Sequence, residues 1–320
     1  MCTCIRFTGT DGGMFFGRNL DWGESYGEHV LIAPRNLART FAFDAGASGS
    51  RAAWPAIIGM GIPSPEGQPL YFDCANEHGL AVAGLNFPGF AAYERCAVDG
   101  KVNVAADEFP YWVCSMFASV DEAEEALRNV AIVGKPAEAG GAESLLHWMI
   151  ADGTRSIAVE YMADGMHIHD DDVDTLTNQP TFDWQRENLR NYIHVGSEFP
   201  ESRTWGKAVL SPYGAGGDMR GLPGDYYSTS RFVRCAFLNS HYPAKETEHD
   251  NVTRLFRTLG GVAMCEGAAM LPNGGYAVTL YTGGYSAATR TYYYSTYDDP
   301  AIRSASITEE AAGGCALIDC

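Results

Sequence analysis

The chain opens with an alternating pattern. Over residues 3–8, Thr3, Ile5 and Phe7 share one face, while Cys4 and Arg6, with Cys2 before them, share the other. That is the period-two signature of a half-buried strand. Asp11-Gly12 is a strong signal for a two-residue hairpin turn, so the residues up to Trp22 are expected to return as a second strand. With that turn, paired residue numbers sum to 23, which sets Asp21 across from Cys2. Arg18, three residues from Asp21, then faces the other side of a regular strand. Both can serve one site only if the strand ends or bulges near Asn19.

Apolar runs predict further strands at HVLIAPR (29–35), GLAVAGLNF (79–87), SLLHWMIAD (144–152) and SIAVEYM (156–162), the last two a hairpin about Asp152-Gly153. Towards the C-terminus, YAVTLYT (276–282), TRTYYYSTY (289–297) and IRSASI (302–307) read the same way. Helical patterning covers 107–130, 184–193, 230–241 and 248–263, and Asp121, Glu122, Glu124 and Glu125 follow Ser119 as a helix dipole prefers. Segments 134–143 and 211–226 read as loops, and AAGGCALIDC (311–320) as a frayed tail. Strands and helices come in blocks instead of alternating. The expected class is therefore α+β, with antiparallel sheets covered by helices. One domain over 1–320 is expected, frayed from about 309.

Composition narrows the function. Hydrophobic residues make up 46% of the 320, enough for a large core. The net charge of −18, from 40 acidic and 22 basic residues, disfavours a nucleic-acid partner. An anionic ligand would need local arginines. No basic-then-apolar leader opens the sequence, and no run nears the ~18 apolar residues of a membrane span. With nine scattered cysteines, an odd number, the expectation is reduced thiols and a cytoplasmic protein.

Cys2 carries the distinctive chemistry. Its small side chain favours removal of Met1, which leaves a residue with a thiol and a free α-amine. The amine, with a pKa of roughly 7.7–8.0, suits a general base at neutral pH, so one residue can hold nucleophile and base together. Arg18 would lower the thiol pKa, and Asp21 would orient the amine.

Several separated pieces extend this picture: MCT, FGRNLDW, NEHGLAVAGLNFPG, LLHWMI, LTNQPTFDW, GLPGDYYSTSRFVRCAFL and RTYYYSTYD. In their order they resemble the choloylglycine hydrolases, the N-terminal-nucleophile family of bile salt hydrolases and penicillin V acylases, from residue 1 to about 308. The resemblance implies a four-layer αββα sandwich with Cys2 as nucleophile, Arg18 as the arginine touching the thiol and Asp21 as partner of the amine. It places Asn86 near the oxyanion, Asn178 with its amide directed at the oxyanion, and Arg231 as a second active-site arginine. Asn86 stands where bile salt hydrolases tend to carry Asn and penicillin V acylases Tyr, which favours conjugated bile salts as substrate.

A steroid acyl group needs an apolar trough, for which Leu20, Trp22, Tyr26 and Ile62, with the loop around Ile132 and Val133, are candidates. Glu24 departs from the family, which often has an aromatic there. The resemblance also implies homotetramers assembled through 188–226. No cofactor or metal is called for. Penicillin V or N-acyl-homoserine-lactone acylase activity is an alternative on the same machinery, as is acyl transfer to other amines. A thiol- or metal-binding protein is the alternative outside catalysis, resting on Cys2-Thr3-Cys4 and on His167-Ile168-His169 followed by Asp170, Asp171 and Asp172, although neither has the spacing of known zinc sites.

Overall fold

A computed structural model of the chain describes residues 1–43, 54–64, 67–134 and 143–320. Among them, two large sheets are present, antiparallel throughout. The six-stranded sheet runs Thr175–Leu176, Cys2–Thr8, Met14–Trp22, Val278–Ser286, Thr291–Thr296, Arg303–Ser306 in spatial order. The eight-stranded sheet runs Gly165–Asp170, Ser156–Met162, Leu146–Ala151, Ala81–Asn86, Pro69–Asn76, Ile57–Pro63, His29–Ala33, Ile318–Asp319.

Period-two alternation decides which layer each strand face enters. Phe16, Leu20, Met149, Ala158 and Tyr281 meet between the sheets. The opposite face of the eight-stranded sheet presents Trp148, Ile150 and Val159 to the helices Phe109–Met116 and Val120–Leu127. The opposite face of the six-stranded sheet presents Ile5, Phe7 and Phe15 to Ser228–His241 and Glu248–Gly260. Helix, sheet, sheet, helix is the αββα order expected.

The hairpin register differs from expectation. Cys2 pairs with Leu20 and Cys4 with Arg18, so paired numbers sum to 22. The turn is a three-residue loop: the Gly12 N–H donates to Gly9 O and the Gly9 N–H to Gly13 O. Gly12 sits at φ +84°, a conformation that favours glycine. The extra loop residue moves Asp21 opposite Met1, whose carbonyl accepts from the Asp21 N–H.

Three other expectations change. Residues 107–130 form two helices, because Ser119 turns extended and caps the second by accepting from the Glu122 N–H at 3.3 Å. The tail is not frayed: Glu309–Ala312 is helical, Ala312 is buried, and Ile318 pairs with Ile32 at the edge of the eight-stranded sheet. Several strands escaped the sequence reading, among them Ile57–Pro63 and Pro69–Asn76, neighbours within the eight-stranded sheet. Gly59 and Gly61 break the apolar run of the first, and a Cβ at Gly59 would collide with the backbone of Asp73 and Cys74. Residues 135–142, within the expected loop 134–143, lie outside the described residues. Among the described residues, no helix is long and apolar enough to cross a membrane.

Candidate active site

The hairpin register places Cys2, Cys4, Arg18 and Leu20 on the face between the sheets. Arg18 is fully buried there; its Nη2 donates to Cys2 Sγ at 2.7 Å, and its Nη1 to the carbonyls of Gly84 (2.8 Å) and Phe72 (3.0 Å). Burial pushes the Cys2 thiol pKa up, but Arg18, the N-terminal charge and the Asn86 N–H together bring it below the ordinary thiol value. For Arg18, burial favours proton loss, yet Cys2, Tyr281 and Asp73 more than compensate, and its pKa moves up. Asp73 is held in turn by the hydroxyls of Tyr281 (2.5 Å) and Tyr292 (2.6 Å). Carboxylate, guanidinium and thiol thus form a buried line ending on sulfur.

Asp21 lies on the other face, under the Ser228–His241 helix. Its Oδ1 accepts from Thr279 Oγ1 at 2.6 Å, and its Oδ2 stands 4.0 Å from Arg231 Nη1 with no hydrogen bond of its own among the described residues. Burial raises the Asp21 pKa by more than Arg231, the N-terminal charge and Thr279 lower it. Arg231 is fully buried; it donates to Cys2 O, to Thr3 Oγ1 (2.7 Å) and to Asn178 Oδ1 (2.6 Å). Asn178 Oδ1 also accepts from the Cys2 N–H at 2.8 Å, while its Nδ2 donates to Asn86 O at 2.7 Å. Two donors at one end and a carbonyl at the other fix the orientation of this amide.

The Cys2 nitrogen lies in the strand plane, which resolves the tension over faces without a bulge near Asn19. The thiol meets Arg18 on one side of the sheet, and the nitrogen meets groups gathered on the other. The register irregularity that does occur sits in the neighbouring strand, at Leu280 between Thr279 and Tyr281.

A cavity of about 580 Å³ opens onto the thiol. Cys2, Arg18, Asp21 and Asn86 line it, with Leu20, Trp22, Tyr26 and Ile62 of the expected trough. Asn178 is not among the residues that line it; it lies against Asn86, whose carbonyl accepts from its Nδ2. Ile132 and Val133 do not line the cavity. Both are fully buried in the strand Val130–Val133, paired in parallel with Val104 and Ala105, and Ile132 packs in the core beneath the helices. Cys2-Thr3-Cys4 and His167-Ile168-His169 fall in different sheets and are not brought together.

Residues 2–318 match the linear amide C–N hydrolases, choloylglycine hydrolase family. The chain belongs to that family. It is 56% identical to a bile salt hydrolase/transferase of Bifidobacterium longum subsp. longum over 95% of this chain and 94% of the relative. Its identity to the conjugated bile acid hydrolase of Lactobacillus gasseri is 40%, over 99% of each chain. Among solved structures, a mutant conjugated bile acid hydrolase from Clostridium perfringens superposes with a TM-score of 0.90 at 32% identity, covering 100% of this chain and 96% of the other.

Around the site of this choloylglycine hydrolase the structure also places residues that sequence reasoning passed over. Asp73 had one legible signal, a lone carboxylate inside the apolar stretch PLYFDCAN. Tyr292 lies in RTYYYSTYD, quoted for its resemblance and not for chemistry, while Thr279 and Tyr281 carried no signal beyond strand propensity. Leu70, Phe72, Leu145 and Leu146 complete the apolar wall; Leu70 and Phe72 lie on a strand the sequence reading missed, while Leu146 begins one it read only as a strand and Leu145 directly precedes it.

Proposed function

We propose that this amide hydrolase cleaves conjugated bile salts, releasing bile acid and glycine or taurine. The observation that carries the reading is the cavity: Leu20, Trp22, Ile62, Leu70, Phe72 and Leu146 form an apolar wall that ends at the Cys2–Arg18 pair. Its volume falls within the about 300–1,000 Å³ usual for sites that take drug-sized ligands. The names of the relatives support the same substrate class, and Asn86 stands on the wall, where a bile-salt branch member would have it.

In this reading Met1 is removed and Cys2 becomes the terminus. Its amine keeps Asn178 Oδ1 as one acceptor and gains protons for a second, for which Asp21 Oδ2 is available. The thiolate, paired with Arg18, attacks the amide carbonyl carbon; a C–S bond forms and the carbonyl electrons move onto oxygen. The Asn86 N–H and the second hydrogen on Asn178 Nδ2 are the donors assigned to that oxyanion. As the intermediate collapses, the α-ammonium gives a proton to the departing nitrogen, and the C–N bond breaks. The α-amine then takes a proton from water as the water oxygen attacks the thioester carbon; the C–S bond breaks, the free acid leaves, and the thiolate is restored beside Arg18. An amine in place of that water yields acyl transfer, as the hydrolase/transferase names of relatives suggest.

Side-by-side kcat/KM values on glycocholate, taurocholate and penicillin V test the substrate. The bile salts are expected to be cleaved faster, and a reversed preference would overturn the reading. Removal of Met1 is tested by intact mass with assay: protein that keeps Met1 is expected to be inactive.

A homotetramer joined through 188–226 is part of the proposal. Support comes from Ile193, Phe199, Trp205, Val209 and Tyr213, large apolar side chains exposed on that segment. Light scattering on the purified protein checks it, and a monomer refutes it.

A further inference from the structure

Behind the two asparagines lies a buried pair that the reaction above does not use. His147 and Glu160 are both completely buried, and neither lines the cavity. His147 Nε2 faces Thr177 O at 2.9 Å, and its Nδ1 faces Glu160 Oε1 at 3.2 Å. A carbonyl can only accept, so Nε2 carries hydrogen. The contact with Glu160 then needs a second proton, held either by the ring or by the carboxyl. His147 and Glu160 together thus hold one proton more than a neutral imidazole and a carboxylate would.

The surroundings show what the pair touches. The His147 ring stacks on Phe87, with centroids 4.1 Å apart and planes 5° off parallel. Phe87 follows Asn86, and Thr177 precedes Asn178. Glu160 Oε1 also accepts from the Phe182 N–H at 2.9 Å, fixing the far side of the Asn178 segment. His169 Nε2, at the quarter-exposed end, lies 3.7 Å from Glu160 Oε2. Replacing a buried ion pair with apolar groups is often neutral or stabilising, so stability alone is a weak reason to keep one here.

We propose that His147, sharing its proton with Glu160, is a positioning residue that clamps the Asn86–Phe87 and Thr177–Asn178 segments and so sets the gap that receives the substrate oxygen. This rests on the assignment of the two asparagines made above. The device depends on the extra proton. In Glu160→Gln, the atom facing both His147 Nδ1 and the Phe182 N–H is either amide oxygen, which leaves a neutral ring without a proton for that contact, or amide nitrogen, which meets the Phe182 N–H as a second donor; a charged ring lacks its counter-ion.

Two variants of the processed enzyme test this, Glu160→Gln and the double variant His147→Phe/Glu160→Gln. The double variant removes both charges, keeps a ring against Phe87 and keeps an acceptor for the Phe182 N–H, so it guards against misfolding of the single variant. In either variant, once folded, kcat on glycocholate is expected to fall about 10- to 100-fold, the scale of a small misplacement at a reacting centre. KM is expected to stay unchanged, and Cys2 to be alkylated by iodoacetamide at the wild-type rate. Wild-type kcat in the folded double variant overturns the proposal. So does a loss confined to KM, or alkylation that slows in step with kcat. Failure of the asparagine assignment shows separately, as wild-type kcat in Asn178→Ala.

Discussion

Two fully buried arginines flank the N-terminal strand, one on each face of the six-stranded sheet, and their surroundings differ. Arg18 is enclosed by groups that favour its charge, namely the Cys2 thiol, Tyr281 and Asp73, and its pKa moves up. Arg231 suffers the same burial, but Asp21, at 4.0 Å, with Cys2 and Cys235 after it, does not offset that burial, and its pKa moves down. Its hydrogen bonds go mainly to neutral oxygens: Cys2 O, Thr3 Oγ1, Asn178 Oδ1 and Tyr226 O. The difference separates two tasks. Arg18 is an electrostatic partner of sulfur. Arg231 is a scaffold that gathers the strand end, the Asn178 amide and the Asp21 carboxylate around one nitrogen.

The most severe test removes the residue both arginines converge on. Cys2→Ser is expected to cut turnover by at least about a thousand-fold, the scale of losing an enzymic nucleophile, while circular dichroism stays that of the wild type. Activity near that of the wild type would leave both arginines without a shared purpose.

Replacing each arginine in turn sharpens the contrast. Arg18→Met and Arg231→Met are both expected to lose about 100-fold or more in kcat, as when a preorganised charged group is lost from a reacting centre. Their thiol titrations should differ. Without Arg18, burial dominates, and the pH midpoint of Cys2 alkylation by iodoacetamide should move upward. Without Arg231, whose mutual charge interaction with Cys2 ranks below that of Arg18, the midpoint should move up less. Equal movement in both variants would erase the distinction.

The same contrast explains what could be read from the chain. Cys2, Arg18 and Asp21 lie within one hairpin, where alternation and a turn signal suffice to suggest a common site. The register was misjudged by one because Asp11-Gly12 does not reveal whether the loop has two residues or three; Gly9 and Gly13 settle that by pairing with each other. Arg231 reads locally as a residue on an amphipathic helix, and its burial depends on contacts with residues 2, 3 and 178. Only the family resemblance pointed to it. Ile132 and Val133 failed for the opposite reason: an apolar pair beside a loop suits a trough and a core strand equally well, and pairing with Val104 and Ala105 decided for the core. Asp73 was passed over because glycines and a proline hid the strands around it.

The mildest effect concerns stability on the Arg231 side. Asp21 holds its proton to higher pH in the fold than in the unfolded chain, because burial outweighs Arg231, the N-terminal charge and Thr279. Between the ordinary aspartate value of about 3.9 and the raised folded value, the native state binds more protons than the unfolded chain. This group therefore makes stability fall as pH rises through that window, and above it the loss is complete. Asp21→Asn removes the titration. It also deprives Arg231 of its carboxylate, but that penalty is a constant offset because the arginine stays charged throughout the window. Asp73, also buried and shifted up, contributes equally to both proteins and cancels in the difference. Urea midpoints measured across the window should therefore show the variant gaining on wild type as pH rises, whatever the offset. Parallel profiles would mean that Arg231 compensates Asp21 as fully as the enclosing anions compensate Arg18, and the two faces of the strand would then be alike.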